Sequence, residues 1–151
     1  MGLFFNKYKE QEYGRLSDSK EQQHREAVFT CSKTLCDGNL YIDEEHGLYY
    51  IHSPFCDVKT TIAKIQNITA IHSDYVYQIG VDGPTFFDYG RIVFDLKDDE
   101  FNYVEYRIGI DRKVFNFNAK KQYEKLVRGS MDEVCAYFKI KESKATKTTY
   151  A

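Results

Sequence analysis

The stretch NAKKQYEKLVRGSMDEVCAYF, Asn118 to Phe138, decides the fold. Tyr123, Leu126, Val127, Met131, Val134, Cys135 and Phe138 recur at intervals of three and four, which draws one apolar stripe along a helix. The stripe keeps its phase across Gly129-Ser130, so one helix is favoured over two; the competing signal is a capping box formed by Ser130 and Glu133. Asn118 offers a side-chain oxygen as N-cap. Before this helix the hydrophobic period is two more often than 3.6. Many strands followed by one closing helix predicts an α+β, mainly β domain, a small barrel or sandwich of about seven strands covered by the helix.

Working outward, Ile92, Phe94 and Leu96 alternate, Lys97-Asp98-Asp99-Glu100 supplies a polar turn, and Val104, Tyr106, Ile108 and Ile110 return. This is the clearest hairpin in the chain. A second one runs from Leu40 and Ile42 through Glu44-Glu45-His46-Gly47 to Leu48 to His52. Ile62, Ile65, Ile68 and Ile71 recur every three residues, a spacing that drifts about 60° per step on a helix. A strand, a kink near Gln66-Asn67 and a second strand suit them better, with Ile71, Tyr75, Tyr77 and Ile79 opposite His72, Asp74 and Gln78. Val28 to Cys31 reads as a first strand and Val114 to Phe117 as a last one. Gly80 to Gly90, with Gly83-Pro84 inside it, reads as a connecting loop. The expected organisation is a polar lead over residues 1–27, a body over 28–140 and a solvated tail over 141–151.

A chain of 151 residues suffices for one domain that buries about two-thirds of its unfolded surface. Thirteen tyrosines and eleven phenylalanines with no tryptophan suit a pleated, half-buried surface. The net charge of −2 argues against a dedicated nucleic-acid binder, but the charge is uneven. From Asn118 onward there are eight basic and four acidic residues. Lys120, Lys121, Lys125 and Arg128 therefore mark a possible interaction surface on the helix, and the plainer reading is a solubilising face. No run of about 18 apolar residues is present, and the N-terminus lacks the apolar core of a secretory signal. A cytoplasmic setting is expected, which keeps Cys31, Cys36, Cys56 and Cys135 as free thiols. Leu3, Phe4, Phe5 and Tyr8 form a small hydrophobic tip that docks on the domain or, in the alternative, on a membrane surface. Gly2 invites myristoylation, but Asn6 stands where that motif wants Ser or Thr.

Candidate chemistry is sparse. Cys31, Cys36, Cys56 and His52 can be drawn as a zinc site, although the spacing only partly suits one, and small buried hydrophobes is the plainer reading of the cysteines. Cys56 with His52 or His72, oriented by Asp57 or Asp74, is the one nucleophilic assembly available. Asp95, Asp98, Asp99 and Glu100 lack the order of a calcium loop and read as a solvated turn. A phosphate-cradling glycine loop ahead of a helix is missing. Tyr103, Glu105 and Arg107 share one strand face that suggests nucleic acid, except that Glu105 spoils its electrostatics.

Leu40-Tyr41-Ile42-Asp43, the return through Gly47-Leu48-Tyr49-Tyr50-Ile51, the isoleucine-spaced Ile62 to Ile71, the hairpin from Ile92 to Ile110 and the terminal helix together resemble the bacterial pleckstrin-homology-like domains, including those of Gram-positive and phage proteins. The resemblance covers roughly Leu35 to Phe138 and carries no functional residue. It implies a partly open barrel of two roughly orthogonal sheets, closed at one end by the helix, serving as a binding or scaffolding module. The basic loop of phosphoinositide-binding members is replaced here by the acidic Asp43-Glu44-Glu45. The expected function is non-enzymatic: binding a protein partner or a second copy, by strand addition or an aromatic patch. Peripheral membrane association and a small hydrolase are the alternatives; no cofactor, metal site or catalytic residue is assigned.

Overall fold

The computed structural model describes residues 19–54, 57–79, 86–109, 116–143 and 147–150. The expectations placed on Leu3-Phe4-Phe5, Cys56, Gly83-Pro84 and Val114 lie outside them.

Alternation builds the first sheet. β1 (Lys33–Leu35), β2 (Leu40–Asp43) and β3 (Leu48–Ser53) form an antiparallel meander. Leu40 faces Ile51 and Ile42 faces Tyr49 across the β2–β3 ladder, and all four are fully buried. The turn between them is tied by Asp43, whose carboxylate accepts from the backbone N–H groups of Thr30 and His46 and pairs with the His46 ring. Burial raises that carboxyl, but these hydrogen bonds outweigh it and hold it below its ordinary value.

The far side of β3 is covered by a strand broken in two. β4 (Val58–Lys59) pairs with His52 and Ser53, while β5 (Ala63–Lys64) pairs with Leu48 and Tyr49. In the gap, the Thr60 hydroxyl accepts from Ile51 N–H at 2.9 Å. The Gln22 side-chain amide pairs with both backbone groups of Ile62, at 2.7 and 3.0 Å. Gln22 belongs to α1 (Lys20–Val28), whose N-cap Ser19 accepts from Gln22 N–H. Residues 20–28, expected in part as a polar lead and in part as the beginning of a first strand from Val28 to Cys31, are a helix. Its docked residues are Gln22 and Arg25, both buried. It is held by hydrogen bonds rather than an apolar stripe, so periodicity does not reveal it.

A 3₁₀ turn over Ile65–Asn67 makes the kink expected near Gln66-Asn67, and β6 (Ile68–Gln78) follows. β7 (Phe86–Leu96) and β8 (Tyr103–Ile108) complete the expected hairpin. β7 begins within the segment expected as a loop: Gly90 lies in the strand because α2 (Asn116–Phe138) packs directly over it. A Cβ at Gly90 would stand 3.2 Å from Val127 Cγ2 and 3.4 Å from Tyr123 Cδ1. The Asp95 to Glu100 turn is less solvated than expected, since the Asp99 side chain is 2% exposed and paired with Arg25 at 2.9 Å.

α2 runs unbroken through Gly129 and starts before Asn118, so Asn118 is not its N-cap and residues 116 and 117 are helical rather than the end of a last strand. Tyr123, Val127, Met131 and Val134 fill the space over the sheets, whereas Leu126 is half exposed. Neighbours on a helix point about 100° apart, and Val127 takes the inward direction. Tyr49, Phe94 and Phe138 join both sheets to the helix end with ring centroids 5.6–6.0 Å apart.

The molecule is α+β and mainly β, and among the described residues its strands form two sheets rather than a closed barrel. Where β3 meets β8, side chains bridge the sheets in place of a backbone ladder: the Ser53 hydroxyl accepts from Arg107 N–H, and Asn39 bonds the Tyr106 hydroxyl. The second sheet has the order β8-β7-β6-β9. β9 (Lys147–Tyr150) pairs parallel with Asp74 to Tyr77 of β6, so part of the expected solvated tail is strand. Among the described residues no helix is long and apolar enough to cross a membrane.

Candidate interaction site

In an alternating hairpin the face away from the core normally carries polar residues. Here the rung between the two core rungs is Tyr41 opposite Tyr50. Their rings stack at 4.8 Å with planes 15° apart, and Phe29, just past α1, meets Tyr50 edge-on at 5.1 Å. All three are half-buried. Beside them lies a pocket of about 200 Å³ lined by Glu26, Phe29, Tyr50, Lys59, Thr60 and Ile62. Lys59 Nζ stands 5.6 Å from the Tyr50 ring centre. Burial, followed by the neighbouring Tyr41 and Cys31, pushes the Tyr50 phenol up, so it stays a neutral donor at ordinary pH. The broken edge of β4 and β5 and the docking of α1 together make this recess.

The helix surface Lys120, Lys121, Lys125 and Arg128 lies on α2. Lys121 and Lys125 are exposed, and the side chain of Lys120 lies outside the described residues. Arg128 is engaged in a two-pronged bond to Glu142 at 2.6 and 2.9 Å and a longer one to Asp132. Its charge is directed to the chain's own tail.

Among the described residues no group of three His, Cys, Asp or Glu side chains is arranged to hold a metal ion. Cys31 is exposed and Cys36 buried, which separates the first two members of the drawn zinc set. Cys36 is pushed up to about 12 by burial and by the Glu133 carboxylate, whose Oε1 accepts from Cys36 N–H. His52 Nε2 and Asp57 Oδ1 do meet, at 2.9 Å. His72 pairs instead with Asp95, at 3.2 Å, while Asp74 is held by Arg91.

The strand face expected to suggest nucleic acid contains a buried charge network. Glu105 is fully buried and bonds both Arg91 and Arg107; Asp74, also fully buried, bonds Arg91. Arg107 lies 4.9 Å from the Tyr89 ring centre. Burial raises the Glu105 carboxyl against the opposing pull of Arg107. Two carboxylates and two guanidiniums neutralise one another here, which makes this a ligation of three strands rather than a basic groove.

Sequence reasoning missed Glu26, Phe29, Tyr50 and Lys59 as a set. The available signal was two tyrosines in register at the solvent position of a hairpin; the contribution of α1 had none. Comparison with models of protein families, with curated proteins and with solved structures finds no match.

Proposed function

We propose that this chain is a non-enzymatic interaction module of pleckstrin-homology-like architecture that binds a protein segment on the outer face of its first sheet. The observation that carries the reading is the Phe29–Tyr50–Tyr41 array around the pocket. Aromatic rings outside a core offer large contact area at small loss of side-chain freedom, and such anchors dominate protein–protein binding energy. Glu26 and Lys59 on the rim favour a segment with an apolar anchor flanked by both signs of charge. The family reading is supported by strand order: a meander around β3, a second one of β6, β7 and β8, then a closing helix.

Selection of peptides from a random library against the wild-type chain, with counter-selection against Tyr50→Ala, tests this. Enriched peptides should carry an aromatic or large aliphatic anchor, lose at least ten-fold in affinity on Tyr50→Ala, and shift the amide resonances of Glu26, Phe29 and Lys59. Peptides that bind both proteins equally, or shifts confined to α2, would overturn the assignment.

A further inference from the structure

The last strand of the second sheet is supplied by the end of the chain. After α2, Lys139 takes a left-handed backbone with φ of +58°, and Ile140 N–H bonds Cys135 O. Glu142 then bridges to Ile71 in parallel sense, and Ser143 N–H donates to Ile71 O at 2.9 Å. Lys147–Tyr150 continues along Asp74 to Tyr77, also parallel. From the first of these pairings to the second the tail advances five positions while β6 advances three. Besides these backbone pairings, Ile140 packs against the core at the start of the tail, and Glu142 pairs with Arg128 at the surface, a kind of contact worth about 0.2–1 kcal/mol.

We infer that β9 is an exchangeable strand, and that the edge of β6 is a docking site for the same strand of a second copy of this chain. Uncovered, β6 would present an eleven-residue edge, the feature from which sheets recruit foreign strands. The occupant it accepts is already defined in sequence, direction and register, and every copy carries one. Exchange between two copies reproduces each pairing, so the balance between the closed and exchanged forms rests on the hinge and on concentration. The hinge favours opening: Lys139 is a non-glycine residue in the left-handed region, a conformation that an extended hinge relieves.

Light scattering after gel filtration of the full chain, loaded over a wide concentration range, gives the test. A dimer that grows with concentration and returns slowly to monomer on dilution is expected. Lys139→Gly removes the hinge strain and should weaken dimerisation by about five-fold per hinge, whereas Lys139→Val should strengthen it. The double variant Thr148→Pro/Thr149→Pro removes the ladder donor on whichever of the two faces β6; it should be monomeric while far-ultraviolet circular dichroism shows an intact body. Monomer throughout for wild type and Lys139→Val, or a dimer unaffected by the prolines, overturns the inference.

Discussion

Replacing Arg25 by alanine should be among the most damaging changes outside the apolar core. Arg25 and Asp99 have side chains 4% and 2% exposed. The guanidinium bonds Asp99 at 2.9 Å and Ile62 O at 2.7 Å. Its removal leaves a buried carboxylate without its counter-charge, a change that costs about 3–5 kcal/mol in proteins. The low end applies, about 3 kcal/mol, because Asp99 keeps Asn67 Nδ2 at 2.8 Å and Lys64 N–H at 3.2 Å. In a chain of this length that lowers the melting temperature by about 6–12 °C. The pH dependence carries the sharper test. Burial raises the Asp99 carboxyl, but bonds from Asn67, Arg25 and Lys64 and the Arg25 charge outweigh it, so its folded pKa is depressed. A depressed carboxylate contributes stability that is present above its unfolded value of about 3.9 and lost as pH falls through the folded one. The variant lacks Arg25's share, so the gap between the proteins should be widest near pH 7 and narrow below about pH 4. Urea unfolding of both proteins from pH 7 to pH 3 measures this. A gap under about 1 kcal/mol at pH 7, far short of a broken buried pair, or a gap that is flat across the series, refutes the account of α1 docking.

Three further outcomes follow from the packing. Gly90→Val should cost about 1–3 kcal/mol by overpacking, because its methyl groups press on Val127 and Tyr123; chemical denaturation reads the loss, and an unchanged midpoint would contradict the close approach of α2. Tyr49→Phe should be neutral or stabilising, since the Tyr49 hydroxyl is fully buried with no hydrogen-bond partner among the described residues and an unsatisfied buried group costs about 1–3 kcal/mol; a clear fall in melting temperature would reveal a partner. Alkylation at pH 8 followed by peptide mass mapping should label exposed Cys31 rapidly and leave Cys36 protected until unfolding, because Cys36 is buried and pushed up to about 12; equal rates would count against the burial of Cys36 beside Glu133 of α2.

Elements whose apolar residues repeat with a regular period are legible in the amino-acid sequence. The β2–β3 hairpin, the β7–β8 hairpin and the long helix each bury apolar residues at a regular spacing, and burial writes its period into the residues directly. Elements held by hydrogen bonds are not. α1 docks through Gln22 and Arg25 onto Ile62 and Asp99, 37 to 74 positions away, and a polar helix of this kind looks like any solvated one. β9 is hidden for the same reason: its place depends on a backbone edge that has no side-chain signature.

The candidate site divides along that line. Tyr41 and Tyr50 are set opposite each other by the hairpin register alone, because Gly47 and the four-residue turn fix which positions face away from the core. Their meaning as a recess comes only when α1 brings Glu26 and Phe29 beside the broken edge of β4 and β5. By itself, then, the amino-acid sequence determined a mainly β domain with a closing helix, since alternation and helical spacing are local consequences of which face meets water. Only the tertiary structure decided that the described strands form two sheets, that residues 20–28 dock on them as a helix while residues 147–150 join one of them, and where the aromatic surface lies. Those outcomes depend on pairing between distant backbone and polar groups, whose partners no local pattern names.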